Sequence, residues 1–159
     1  MSADAFHEEH SGLLTPSAFA FVLDSELRRA LRSLSFLTLV VLETARQAAP
    51  DEAVADDSSA QEVARLIHRE VRDTDLVGHT DIGTLSLVLI DANLEHATRV
   101  VNRLIARIKH YEFSTALRIA VGAACYPTNA IDAESLTRQA LSHPIVTWRG
   151  GGRRSADHN

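Results

Sequence analysis

Four apolar runs of strand length, set between stretches with helical spacing, constrain this chain more than any other feature. Residues 36–43 (FLTLVVLE) and 117–124 (LRIAVGAA) are rich in β-branched and aliphatic side chains, which is typical of buried strands. Residues 76–78 and 85–90 flank the short segment Asp81-Ile82-Gly83-Thr84, a pattern that predicts a β-hairpin with a tight turn. We therefore expect a sheet of at least four strands.

Helical patterns alternate with these runs. Thr15-Pro16 supplies an N-cap and a first-turn proline for a helix that extends to about Arg32. A capping box at Ser59 opens the next helix, Asn93 caps a third, and Asp132 caps a last one that ends near Leu141. The segment 48–52 between the first strand and the second helix reads as a loop.

The order helix, β-α-β-β-α-β, helix predicts an α+β fold: a ferredoxin-like antiparallel sheet with flanking helices. Right-handed crossovers place the two crossover helices on one face of that sheet. We expect residues 1–12 to be a polar leader, residues 13–142 to be the domain, and residues 143–159 to be a flexible C-terminal tail.

Composition narrows the function classes. The length of 159 residues suits a single domain. The net charge of −5 argues against non-specific electrostatic binding to nucleic acid or to an anionic membrane. The lone Cys125 excludes a disulfide framework and a cysteine-based zinc site. No apolar run reaches the ~18 residues of a membrane helix, and no pattern indicates a signal peptide. We expect a cytoplasmic protein without membrane insertion.

Short segments along the chain form an ordered set: Leu14-Thr15 with Phe19, R-x-x-D-x-V at residues 72–77, the strand and its end at residues 87–91, and AVGAACYP at residues 120–127. Through these segments the chain resembles, over about residues 13–141, the GGDEF family of diguanylate cyclase domains. The resemblance implies the nucleotidyl-cyclase-like version of the predicted fold. It also implies metal-assisted joining of two GTP molecules, if the catalytic residues are present.

Those residues are absent from the signature. Where the family has Gly-Gly-Asp/Glu-Glu-Phe, this chain has Asp81-Ile82-Gly83-Thr84-Leu85, so glycine and threonine replace the two acids. Glu43 stands where the family has a metal-binding aspartate, and we expect Asp57 to be a remaining acid without partners. Because holding Mg²⁺ on phosphates requires carboxylates, we expect no catalysis, no Mg²⁺ and no other cofactor.

The resemblance also implies that this chain keeps a second site of the family, the inhibitory site. Arg72 and Asp75 match the R-x-x-D inhibitory site, which binds the product cyclic di-GMP, and Arg99 and Arg103 lie on the helix from which the family adds a further arginine. Arginine can donate two hydrogen bonds to a guanine edge and can also bind phosphate, while a carboxylate accepts from guanine N–H groups. We therefore expect a cyclic di-GMP site at these four residues.

Other interpretations stay open. Arg72 can be a solvated cation at a helix end, Asp75 a turn acceptor, and Arg99 and Arg103 surface partners of nearby acids. The domain would then be a protein-interaction or dimerisation scaffold without a nucleotide. In both cases it acts through another signalling protein or domain, and the family analogy adds a homodimer. His79 has no partner acid that the sequence can place.

Overall fold

The computed structural model describes residues 12–152, which form four helices and six strands. No helix in this part of the chain is long and apolar enough to cross a membrane. In chain order the elements are α1 (Pro16–Ser33), β1 (Leu37–Ala49), β2 (Glu52–Ala55), α2 (Asp57–Glu70), β3 (Leu76–Asp81), β4 (Thr84–Ile90), α3 (Leu94–His110), β5 (Ala116–Tyr126), α4 (Ala133–Ser142) and β6 (Pro144–Gly151).

The strands form one sheet in the order β3-β4-β1-β5-β6, and β2 pairs separately with β1. Every pairing is antiparallel. The central strand β1 lies between β4 and β5 because β3 and β4 form a hairpin and the crossovers through α2 and α3 skip one strand each. This is the ferredoxin-like α+β arrangement that the sequence predicts.

Two apolar layers cover the sheet, one on each face. Alternate residues of β1 separate them: Val40 and Leu42 face the crossover helices α2 and α3, whereas Leu39 and Val41 face α1 and α4. The continuous apolar run of β1 is therefore explained by burial on both faces. The prediction that the two crossover helices share a face is confirmed.

Helix starts follow the predicted capping residues, with one exception. Thr15, Asn93 and Asp132 each accept a hydrogen bond from the first turn of their helix. The capping box predicted at Ser59 is wrong: Asp56 is the N-cap of α2, and its carboxylate accepts from the Ser59 N–H. An aspartate three residues earlier caps the free N–H groups of an additional first turn, so α2 begins earlier than expected.

The predicted flexible tail is wrong for residues 144–151, which form β6 on β5. Pro144 and the following glycines weaken the strand pattern in the sequence, but an edge strand tolerates a proline at its first residue. The loop expected at residues 48–52 is also wrong, since β1 continues to Ala49 and turns into β2. Residues 1–11 and 153–159 lie outside the described residues, and the predicted domain boundaries stay a prediction.

Candidate functional site

Arg72 and Asp75 lie in direct contact where α2 ends and β3 begins. The Arg72 guanidinium donates to Asp75 through Nε at 3.4 Å and through Nη2 at 3.3 Å. The Arg72 backbone N–H donates to the same carboxylate at 3.1 Å, and the Asp75 N–H donates back to the Arg72 carbonyl at 3.0 Å. The R-x-x-D spacing therefore closes a compact turn.

Asp75 also ties this turn to the sheet. Its Oδ1 accepts from the backbone N–H of Ile90, the last residue of β4, at 3.0 Å, and the side chain is only 3% exposed. Both carboxylate oxygens are thus engaged by groups of the protein itself. Asp75 acts here as a link between the end of α2 and the end of β4, and it holds the Arg72 side chain in place.

Arg72 keeps part of its hydrogen-bonding capacity. Its side chain is 51% exposed, and besides Asp75 its Nη2 donates to the Ile90 carbonyl. Among residues 12–152 the Nη1 group has no hydrogen-bond partner, so two of the five guanidinium N–H groups point to solvent or a ligand. Arg72 lines a cavity of about 300 Å³, together with residues that include His68 and Asp73.

Arg99 and Arg103 are not brought into contact with this turn. Arg99 pairs with Glu95 one helical turn earlier on α3, at 3.3 Å, and both side chains are exposed. Arg103 pairs with Glu70 at the end of α2, at 3.1 Å, and Arg107 pairs with the same carboxylate. An exposed pair such as Arg99–Glu95 is worth ~0.2–1 kcal/mol, so Arg99 is the more easily released of the two.

The turn at the position of the signature packs tightly against β1 and the start of α2. Gly83 is buried and has a left-handed backbone (φ 69°); a Cβ there would lie 2.5 Å from the Thr44 carbonyl oxygen. The Gly83 carbonyl accepts from the Thr44 N–H at 2.7 Å, and its own N–H donates to Asp57 at 2.7 Å. The backbone at this turn therefore has its hydrogen bonds satisfied, and only glycine fits there.

Asp57 links three elements, so the expectation that it lacks partners is wrong. Its Oδ1 accepts from the Gly83 N–H and lies 2.8 Å from Nε2 of His79 on β3. Sequence reasoning missed this acid for His79 because the two residues are 22 positions apart and meet only through the sheet. The sequence signal that could have found it is an acid at the start of the helix that leads into the predicted hairpin.

A cleft of about 830 Å³ lies near this turn, between α1, α4 and the sheet. Glu43, Asp81 and Glu134 contribute carboxylates to its lining, Arg138 contributes a guanidinium, and the other lining residues are apolar or bear hydroxyl groups. Within residues 12–152 no group of three or more His, Cys, Asp or Glu side chains is placed to hold a metal ion.

Comparison with known proteins gives solved structures only; no family model and no curated protein matches the chain. The GGDEF domain of YfiN (TpbB) from Pseudomonas aeruginosa aligns with a TM-score of 0.72 at 20% identity, over 85% of this chain and 84% of that one. A DGC protein from Thermotoga maritima aligns with a TM-score of 0.70 at 17% identity, over 85% and 98%. The chain has a GGDEF-like fold.

A further structure with this GGDEF-like fold was solved with a nucleotide. The GGDEF domain of DgcB from Caulobacter crescentus, in complex with c-di-GMP, aligns with a TM-score of 0.74 at 13% identity, over 89% of each chain. At such identities the likeness establishes the fold alone. The chemistry of this GGDEF-like domain therefore has to be argued from its own side chains, above all those at Arg72 and at the Gly83 turn.

Proposed function

We propose that this chain is a regulatory GGDEF-like domain that does not synthesise cyclic di-GMP and instead binds it beside Arg72. It passes the binding state to another signalling protein or domain, and it requires no Mg²⁺ or other cofactor. The observation that carries the ligand site is the half-exposed Arg72, which lines a cavity and is held by Asp75 with an N–H pair still free.

The packed Gly83 turn supports the absence of cyclase activity. Phosphoryl transfer between two GTP molecules needs carboxylates for Mg²⁺ and backbone N–H groups that can approach phosphate. Here Gly83 and Thr84 supply no carboxylate, and the Gly83 N–H already donates to Asp57. An acid at position 83 would also have to adopt the left-handed backbone and would clash with the Thr44 carbonyl.

The free Nη1 group of Arg72 supports a ligand with acceptors in two directions. Its two N–H bonds diverge, so each can donate to a separate acceptor, and cyclic di-GMP offers both guanine acceptors (O6 or N7) and phosphodiester oxygens. Asp75 has its oxygens occupied, and we therefore assign it the role of positioning Arg72. Arg99, held only by an exposed pair with Glu95, is free to turn toward the ligand, whereas Arg103 must first leave Glu70.

Calorimetric titration with cyclic di-GMP tests the ligand site. We expect saturable binding by the unaltered protein and a roughly 10- to 100-fold weaker affinity in Arg72→Ala, because charge-assisted hydrogen bonds contribute about 1.5–3 kcal/mol. Arg69→Ala is the matched control, since it removes an exposed arginine from the last turn of α2, three residues before Arg72, and should bind as the unaltered protein does. Absence of heat at millimolar ligand, or equal losses in both variants, refutes the site.

Incubation of the protein with GTP and Mg²⁺ or Mn²⁺ tests the absence of catalysis separately. We expect no cyclic di-GMP by chromatography, and its accumulation over a protein-free control contradicts the proposal. The two assays are independent because one reports on the Gly83 turn and the other on Arg72.

A second candidate function is a dimerisation scaffold, and exposed apolar residues favour it. Phe21 and Leu31 project from the outer side of α1, and Leu34, which caps that helix in a left-handed conformation, is 90% exposed. Light scattering on the unaltered protein and on a Phe21→Ser/Leu31→Ser variant tests this function. It requires a dimer that the double substitution dissociates, with or without cyclic di-GMP.

A further inference from the structure

Two arginines face each other across the strands β5 and β6. Arg118 on β5 pairs directly with Arg149 on β6 and, on its other side, with Ala45 on β1. Residues that are directly opposite in an antiparallel pair point to the same face, so both guanidinium groups lie over the α1 and α4 face of the sheet. Ala45 and Ala120, which lies diagonally opposite it on β5, leave space on that face because their side chains are small.

This pair lacks the partners that like charges require. Within residues 12–152 neither Arg118 nor Arg149 forms a hydrogen bond or an ion pair through its side chain, and the Nε atom of Arg118 is buried without an acceptor. Like charges directly opposite each other destabilise a sheet, and a buried donor without an acceptor adds a cost of about 1–3 kcal/mol. An external anion bound between the two side chains would remove the repulsion and supply an acceptor for Arg118.

A cavity of about 250 Å³ opens beside Arg118. Three alanines, Ala45, Ala55 and Ala120, give it small walls, and it adjoins the signature turn. Glu43 lines the same cavity, two residues from Ala45 on β1 and therefore on the same face. The cavity is thus lined by one guanidinium, that of Arg118, and one carboxylate, that of Glu43, and it has room for a small group.

We propose that Arg118 and Arg149 form a binding site for the phosphate group of a small ligand. Two guanidiniums side by side supply the planar, paired donors that phosphate oxygens accept, and an anion between them removes their mutual repulsion. The Glu43 carboxylate repels negative charge and so favours a phosphate position close to the arginines. This site uses no residue of the proposed cyclic di-GMP site and stands independently of it.

Thermal unfolding in the presence of inorganic pyrophosphate, at constant ionic strength, tests the site. At a concentration ten times the dissociation constant, ligand linkage predicts a rise in Tm of roughly 3 °C or more for the unaltered protein. We expect this rise to be lost in Arg149→Ala and Arg118→Ala. Arg65→Ala, which removes an exposed arginine from α2 on the opposite face, is the control for net charge and should keep the rise.

Two further variants distinguish binding from a structural role. Without ligand, Arg149→Ala should be at least as stable as the unaltered protein, because it relieves repulsion and removes no hydrogen bond or ion pair; a structural arginine would lower Tm when removed. Glu43→Gln should bind pyrophosphate more tightly. No rise in the unaltered protein, or the same rise in Arg149→Ala and Arg65→Ala, overturns the proposal. Because Arg149 is exposed and unpaired, its variant decides the outcome even if Arg118→Ala fails to fold.

Discussion

Removing the Asp75 carboxylate should destabilise the domain far more than removing its exposed neighbour. Asp75→Ala leaves the Ile90 N–H without its acceptor at the end of β4, a loss that costs about 1–3 kcal/mol for a partly buried donor. The substitution also removes the acceptor of the Arg72 backbone N–H, but water can accept that hydrogen bond instead at a lower cost. It breaks the ion pair with Arg72 as well, which contributes little because the Arg72 side chain is half exposed. We expect the free energy of unfolding to fall by about 3 kcal/mol.

Urea unfolding followed by circular dichroism measures this change. At ~2–4 °C per kcal/mol for a domain of this size, Tm should fall by roughly 6–12 °C. Asp73→Ala is the matched control, an exposed carboxylate two residues earlier, and it should change the free energy by less than about 0.5 kcal/mol. Equal, small effects of the two substitutions would refute the view that Asp75 joins α2 to β4.

Two further predictions concern the signature turn and the last helix. Gly83→Ala should lower the free energy of unfolding by about 2 kcal/mol or more, since a Cβ would meet the Thr44 carbonyl and φ is positive; Ile82→Ala, at the exposed neighbour, should be nearly neutral in the same urea experiment. The Ser135 backbone N–H, followed by its hydroxyl, lowers the pKa of Asp132 below its ordinary 3.8. The ionised Asp132 carboxylate therefore contributes its full stabilisation at a pH above that ordinary value, and this stabilisation is lost as pH falls through the lowered pKa. Asp132→Asn keeps a capping side chain that does not titrate. The free energy of unfolding of the unaltered protein minus that of the variant should therefore decline as pH falls from about 5 to about 2. A difference that stays constant with pH contradicts the assignment.

Local signals made the fold predictable. Thr15-Pro16 and Asn93 cap their helices within the same few residues that read as caps in the sequence, and the hairpin around the 81–84 turn is fixed by its turn chemistry. The runs at β1 and β5 are apolar because both faces are buried. The caps and the turn are decided by neighbours in the chain, the apolar runs mark the buried strands, and the order of the elements then leaves few topologies.

Features that depend on distant partners were not predictable. Nothing near β6 marks it as a strand except a short apolar run after Pro144, and its stability comes from pairing with β5. Asp57 meets His79 only once β3 lies beside the start of α2. Arg118 and Arg149 become a pair through the register of β5 and β6, which no spacing in the sequence encodes.

The R-x-x-D motif illustrates why a motif by itself does not establish a ligand site. Asp75 has a sufficient reason to be present in the fold, because its carboxylate joins two elements; a loss of cyclic di-GMP binding in Asp75→Ala would therefore follow from unfolding as readily as from a missing contact. Arg72 separates the two causes. Arg72→Lys keeps a cation for Asp75, and so should keep Tm within about 2 °C, but it lacks the planar guanidinium with its free N–H pair. A ligand site at Arg72 requires that this variant bind cyclic di-GMP at least ten-fold more weakly while remaining folded; unchanged affinity would assign the whole motif to the fold.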